Sequence, residues 1–345
     1  FGDQNERGSV LYRRKSAMLH QSQHADGKDE DHIKFPSLYP NSKAAVVELS
    51  PTEKKIDKST SIKHRLGVLI ATAISGNDIL SSLLFVTALT AVEAGIYAPI
   101  AQILVVFTLW LYKGVYQEVL SALPMNGGCF NVLLHTTSKG TASIAACFSI
   151  LSYVATCVCS GTSAVYYLHE LVPGLDVKLY TVLLLTFFAV LNLMGISESG
   201  TVALIIFTVH FLTLALLCCF SLLYLCRNGF GQLEHNWHGY HPEEELLPDG
   251  NPGFVQRGFW TSIFFGYGTA MLGVSGFESS SQFIEEQAAG VFPKTLDNMW
   301  TAIAFFNPLV MFLAIAIFPL PDIARVHKSV LLSSMGRQVA GEWLH

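Results

Sequence analysis

Ala73-Ile74-Ser75-Gly76-Asn77-Asp78 and Gly273-Val274-Ser275-Gly276-Phe277-Glu278 share one pattern, serine, glycine, any residue, acid, and each sits midway along an apolar stretch. A serine run follows both, Ser81-Ser82 in the first case and Ser279-Ser280-Ser281 in the second. A lone glycine in an apolar helix says little. A carboxylate at the centre of a lipid-crossing helix costs about 3 kcal/mol on insertion scales, so its presence needs a reason. Glycine eases unwinding, and an unwound turn frees N–H and C=O groups to hold a ligand. Close packing of helices would account for the Gly and Ser positions but not for the two acids.

Outward from these passages the chain reads as membrane protein. At about 1.5 Å per residue, a hydrocarbon layer of ~30 Å needs about 20 apolar residues. Seven stretches qualify, at 67–92, 98–120, 141–168, 179–195, 199–226, 259–283 and 300–320. They are expected to be helices, because lipid offers no partner for backbone polar groups. Only 14% of the 345 residues are charged, against the quarter or so usual in soluble proteins. Of 21 Lys and Arg, 12 precede residue 67, so residues 1–66 form a polar tail, expected to be largely disordered and cytoplasmic, ahead of a transmembrane domain at 67–320. Nothing in that tail resembles a signal peptide. The net charge of −5 gives nucleic-acid binding no electrostatic support. Seven cysteines without CxxC spacing argue against a disulfide or zinc framework.

Lys54, Lys55, Lys58, Lys63 and Arg65 precede the first span and place the N-terminal side in the cytoplasm. Lys139 and Lys294 then fall inside, and the 90–97 and 227–258 loops outside. Residues 321–345 are too polar to cross. Ile323, Val326, Val330, Leu331, Met335 and Val339 share one side there, which predicts an amphipathic extracellular segment or the start of further helices of a second repeat.

The two acid-bearing passages lie five spans apart. Five is odd, so a second repeat would enter the membrane with opposite topology, the geometry of inverted-repeat transporters whose sites form between two interrupted helices. Here the residues reach a family. The first passage, Glu118 with Leu123-Pro124-Met125-Asn126-Gly127-Gly128, the second passage, and Gly290-Val291-Phe292-Pro293-Lys294 together resemble the amino acid–polyamine–organocation (APC) permeases over roughly residues 65–320. Two departures stand out. Many members have Gly-x-Gly where this chain has Ser75-Gly76-Asn77, and members have ten or more helices.

The resemblance implies an all-α membrane protein with the inverted-repeat, LeuT-like transporter fold, truncated after about seven transmembrane helices. It implies a substrate site lined by Ile74, Ser75, Gly76 and Asn77 on one helix and Gly273, Val274, Ser275 and Gly276 on the other. Backbone of the first group would face a substrate carboxylate, and the second group its ammonium and side chain. Asp78 and Glu278 become the candidates for ion or proton coupling, Glu278 first, since nothing basic lies near it in sequence. The expected function is secondary active transport of amino acids or related organic cations, by proton symport or exchange through alternating access. Potassium or other cation uptake, an inactive truncated fragment and a seven-helix receptor are the alternatives. The receptor suits neither the cytoplasmic tail nor the two acid-bearing passages. Expected partners are a small-molecule substrate and the lipid bilayer, with no nucleic acid, cofactor or metal.

Weaker signals complete the reading. His235, His238 and His241 beside Glu243, Glu244 and Glu245 have zinc-like spacing but are expected to form a solvated loop. Lys113 should snorkel or pair across helices. His210 reads as an interior histidine before a proton relay. Tyr153, Tyr166 and Tyr167 read as packing before a substrate path. Pro99, Pro308 and Pro319 should start or kink helices. Neither a nucleophile elbow, a phosphate-cradling GxxxxGK[ST] nor HExxH occurs, so no enzyme chemistry is expected.

Overall fold

The computed structural model describes residues 65–194, 196–239, 257–274, 276–327 and 329–341. The polar tail up to residue 64, Ser275, Lys328, and His241 with Glu243, Glu244 and Glu245 lie outside the described residues. The helices run α1 Val68–Ser81, α2 Leu83–Ala94, α3 Ala98–Ala122, α4 Gly128–Thr136, α5 Lys139–Leu171, α6 Val177–Met194, α7 Ile196–Asn228, α8 Gly231–His238, α9 Phe259–Ala270, α10 Phe277–Gln282, α11 Val291–Ile317, α12 Leu320–Arg325 and α13 Leu331–Ala340. Among the described residues there is no strand, only one isolated backbone pairing of Leu66 with Gln287. This is an all-α membrane protein. Four helical runs, Val68–Ala122, Lys139–Leu171, Gly200–Asn228 and Val291–Ile317, are long and apolar enough to cross a membrane, and Val177–Leu193 is a shorter apolar helix. The first run folds back on itself where Gly95 takes φ 56° between α2 and α3, with Pro99 in the opening turn of α3 where its missing N–H costs nothing.

α11 is the axis of the core. Leu296, Met299, Ile303, Phe306, Val310, Met311, Leu313 and Ala314 are buried along it, against α3, α1, α2 and α7. Lipid tails are as apolar as leucine, so close contact rather than hydrophobic transfer holds such helices together. Gly266 of α9 accordingly lies against Ala94 and Ala101, where any larger side chain would collide. The periphery is different. In α5 only 6% of the most apolar stretch is buried, against 56% in α11, and Phe148, Ile150 and Leu151 face outward as lipid requires.

Polar side chains fasten the two ends. At one end, Arg257 pairs with the Glu93 carboxylate and donates to its backbone carbonyl at 3.1 Å, and Tyr97 meets Phe259 edge-on at 5.0 Å. There too the buried Asn236 of α8 donates to the carbonyls of Ile315 (2.7 Å) and Phe318 (2.9 Å), satisfying groups that the end of α11 leaves open. At the other end Leu66 N–H donates to Glu286 O at 2.8 Å, and Ala288 N–H to Leu66 O at 3.1 Å. Lys113 reaches across to Asp297 at 2.9 Å and lies 4.8 Å from the centre of the Trp300 ring.

Several expectations are corrected here. The last expected span begins at Val291, not 300, because its first turns carry Lys294, Asp297 and Asn298, which a hydropathy window reads as loop. His235 and His238 lie in helix α8 rather than a loop, held there by the burial of Asn236 between them. Residues 321–341 are not one continuous surface helix. α12 and α13 are separated by a turn, Ile323, Leu331 and Met335 are buried against α2, α7 and α11, and Val326 faces outward. Pro319 starts α12, whereas Pro308 lies inside α11.

Candidate functional site

The two acid-bearing passages behave differently. α1 runs unbroken through residues 74–78, so the expected interruption at Ser75-Gly76-Asn77 is corrected. A single-residue interruption comes later, at Ser82, whose backbone stays right-handed (φ −62°, ψ −26°). Serine hydroxyls attend to the carbonyls there: Ser81 Oγ donates to Asp78 O at 2.9 Å and Ser82 Oγ to Ile79 O at 2.7 Å. The second passage does unwind. α9 ends at Ala270, Met271–Val274 form one tighter turn, Gly276 takes φ 120°, and α10 begins at Phe277.

An unbroken helix turns about 100° per residue, so five consecutive side chains cannot share one site. Ile74, Gly76 and Asn77 face α7. The Cδ1 of Ile74 comes against Gly200, the Phe207 ring covers Gly76 so closely that an added Cβ would lie 2.7 Å from it, and Asn77 Nδ2 donates to Ala203 O at 2.8 Å. Gly76 is thus a packing glycine. Ser75, Asp78, Ile79 and Ser82, at helical spacing, form the face toward the unwound strip. The Ser75 carbonyl and Ile79 press on Gly276, where an added Cβ would sit 3.2 and 3.0 Å from them. Ser82 Oγ also lies 3.1 Å from the carbonyl of the buried Gly273, and Ser279 Oγ donates to Asp78 Oδ2 at 2.9 Å. The Ser75 hydroxyl is fully buried without a hydrogen-bond partner.

Glu278 opens the other way. With Leu109, Tyr112 and Tyr116 of α3, and with Val274 and Phe277, it lines a cavity of about 360 Å³. Tyr116, Tyr153 and Asp78 lie within electrostatic range of its carboxylate. Gln282 Nε2 donates to Tyr153 OH at 2.9 Å and so ties α5 to the end of α10. Below the site, the Asn126 side chain donates to both Glu286 oxygens (3.0 and 2.9 Å) and accepts from Glu285 N–H at 2.9 Å. Sequence reading noted Ser82 only within its serine run, and it passed over Ile79, Tyr112 and Tyr116. The first two were signalled by the i, i+4, i+7 series from Ser75, and the tyrosines by their i, i+4 spacing on α3. Among the described residues no three His, Cys, Asp or Glu side chains converge as a metal cage, and His238 stands 3.9 Å from Glu234. Tyr167 donates to Leu84 O at 3.0 Å, and Tyr166 is exposed.

The arrangement is a helix interrupted against an intact one, with a carboxylate on either side of the contact. The family described as "Amino acid permease" matches residues 66–345. The chain belongs to it. Among curated proteins none matches. The permease is therefore an integral membrane transporter, with a small molecule such as an amino acid as its substrate. The motif-bearing segments named from sequence, at Leu123–Gly128 and around Ser275, fall within the match. They meet in space, since an added Cβ on Gly128 would strike Gln282 at 2.6 Å.

Proposed function

We propose that the permease is a secondary active transporter of amino acids or related organic cations, working by proton symport or exchange through alternating access. Its scaffold is assigned to the inverted-repeat, LeuT-like fold, in the plasma membrane with the N-terminal side cytoplasmic. The observation that carries this reading is the interruption between α9 and α10, where Gly273 and Gly276 meet the Ser75–Ser82 face of α1, with Glu278 at the cavity beside it. A helix interrupted at midplane offers backbone groups to a ligand and a place to rock open and closed. Substrate contacts are assigned to Gly273, Val274, Ser275 and Gly276 with Ser75, and coupling to Asp78 and Glu278. Ile74, Gly76 and Asn77 keep only a supporting part, because α7 occupies them.

A carboxylate in a low-dielectric site can exchange a proton as the site alternates between water and protein. Glu278→Gln keeps the shape and removes the charge. In liposomes holding the full-length permease, this variant should equilibrate substrate yet fail to concentrate it under an inward proton gradient. Full gradient-driven accumulation by Glu278→Gln would remove Glu278 from coupling.

A further inference from the structure

The short helix α8 follows directly on α7, and its two sides differ. Asn236 faces the bundle, where it donates to Ile315 O and Phe318 O and accepts from Gln232 Nε2 at 3.2 Å. The other side is open. Phe230 at the helix cap, with Leu233, Glu234, Trp237 and His238 at i+3, i+4, i+7 and i+8, lines a cleft of about 290 Å³. Phe230 and Trp237 remain more than half exposed there, at 53% and 59%.

Helix length sets the depth of this cleft. The apolar run Gly200–Asn228 of α7 has 29 residues. At 1.5 Å per residue it is about 43 Å long, enough to cross the hydrocarbon layer and both headgroup regions. The end of α7, and α8 with it, therefore lies at headgroup level. Neighbouring rings mark the same level. Trp237 meets Tyr97 edge-on at 6.5 Å, Tyr97 meets Phe259 at 5.0 Å, and Phe259 meets the exposed Trp260 at 5.0 Å. Trp and Tyr gather in this way where membrane gives way to water, since their rings are apolar at one end and polar at the other. Leu216, Leu222 and Leu223 of α7 face outward, so a lipid-facing wall runs up to the cleft. Both signs of charge are at hand. Arg227 is exposed in the last turn of α7, and Glu234 is exposed on α8. A guanidinium suits a phosphate, whereas aromatic faces beside a carboxylate suit an ammonium.

We propose that this cleft holds the headgroup of a zwitterionic phospholipid, its ammonium beside Phe230, Trp237 and Glu234 and its phosphate toward Arg227. Nothing in this step depends on which substrate the permease carries. A glycerol headgroup would offer Glu234 no cation. A soluble phosphocholine would lack the acyl chains that the outward leucines of α7 receive.

The test titrates full-length permease, purified in detergent, with dioctanoyl phosphatidylcholine while its melting temperature is followed. The rise should saturate. Glu234→Gln, which leaves the buried side of α8 untouched, and Trp237→Leu should each weaken the apparent affinity about two- to fivefold, the size of one exposed cation–aromatic contact. Dioctanoyl phosphatidylglycerol should bind more weakly by a similar factor, and free phosphocholine should produce no rise. Equal affinity for the two lipids, or unchanged affinity in both variants, overturns the headgroup assignment. A rise with phosphocholine equal to that with lipid overturns the lipid as the occupant in favour of a soluble ligand. In phosphatidylcholine vesicles, a spin label at headgroup depth should quench the part of the fluorescence that Trp237→Phe removes. Quenching of that part by aqueous iodide alone would place α8 in water. Quenching by neither would mean that protein, from this chain or a second copy, covers the cleft. Each of these two results overturns the assignment.

Discussion

Ser75-Gly76-Asn77-Asp78 and Ser275-Gly276-Phe277-Glu278 carry the same pattern, yet one is a turn of intact helix and the other has its glycine at φ 120° just ahead of a new helix. The difference lies in what each glycine faces. Gly76 meets an aromatic ring from α7, and the neighbouring Asn77 is fastened to the α7 backbone, so the helix there has every reason to persist. Gly276 meets the side of α1 itself, backbone to backbone, and takes a positive φ that only glycine adopts freely. One motif thus serves two purposes: in α1 the glycine admits a neighbour, and in the second passage it lets the chain turn. The lesson is that glycine beside an acid marks a place where backbone and neighbour come close, and only the neighbour decides whether the helix opens.

Substitution can break this comparison. Gly276→Ala should have the largest effect, about 3 kcal/mol or more, since it adds backbone strain and a collision with Ile79. Gly76→Ala should cost under about 1.5 kcal/mol, because the Phe207 ring can shift and alanine favours the helix by about 1 kcal/mol. Melting temperatures of the two variants in the same lipid would decide. Equal losses would mean that the two glycines do the same job.

Ser82→Ala comes next, at about 1–2 kcal/mol, by removing the buried hydroxyl that donates to Ile79 O and lies 3.1 Å from the Gly273 carbonyl. Thermal unfolding reads the loss, and an unchanged midpoint would show that the interruption in α1 does not depend on the hydroxyl. A double-mutant cycle over Asp78→Asn and Ser279→Ala should give a coupling of about 0.5–1.5 kcal/mol across the contact. Additive losses would separate the two passages energetically despite their geometry. The smallest effect is expected for Asn77→Ala. Its bond to Ala203 is an ordinary interhelical one, worth about 0.6 kcal/mol in a membrane, and substrate binding should not change. A change in substrate binding would return Asn77 to the site.

Much of the architecture was legible because lipid imposes a simple rule: long apolar stretches become helices, and the seven stretches picked out by hydropathy each contain helix. Elements that do not cross were harder to see. α4 and α8 are short, and α8 is polar and held by Asn236, which is buried against the end of α11, a contact with no local signature. In the site, Asp78 and Glu278 were visible as costly acids, and Gly273 and Gly276 as breakers. Tyr112 and Tyr116 were not, since tyrosines on an apolar helix look alike until the opposite wall is known. Ile74, Gly76 and Asn77 were read as substrate contacts through an expected break, and there the helix is intact with α7 packed on that side.

Sequence alone determined that this chain is a membrane protein, that it carries two acid-bearing glycine motifs within apolar stretches, and that its motifs belong with the permeases. Those conclusions follow from transfer energies and residue types, which act locally. Which of the two motifs unwinds, which face of α1 meets it and where Glu278 points were decided only by the tertiary structure. Each of these depends on groups from α3, α7 and α10 that lie far off along the chain, and close packing admits one partner at each surface.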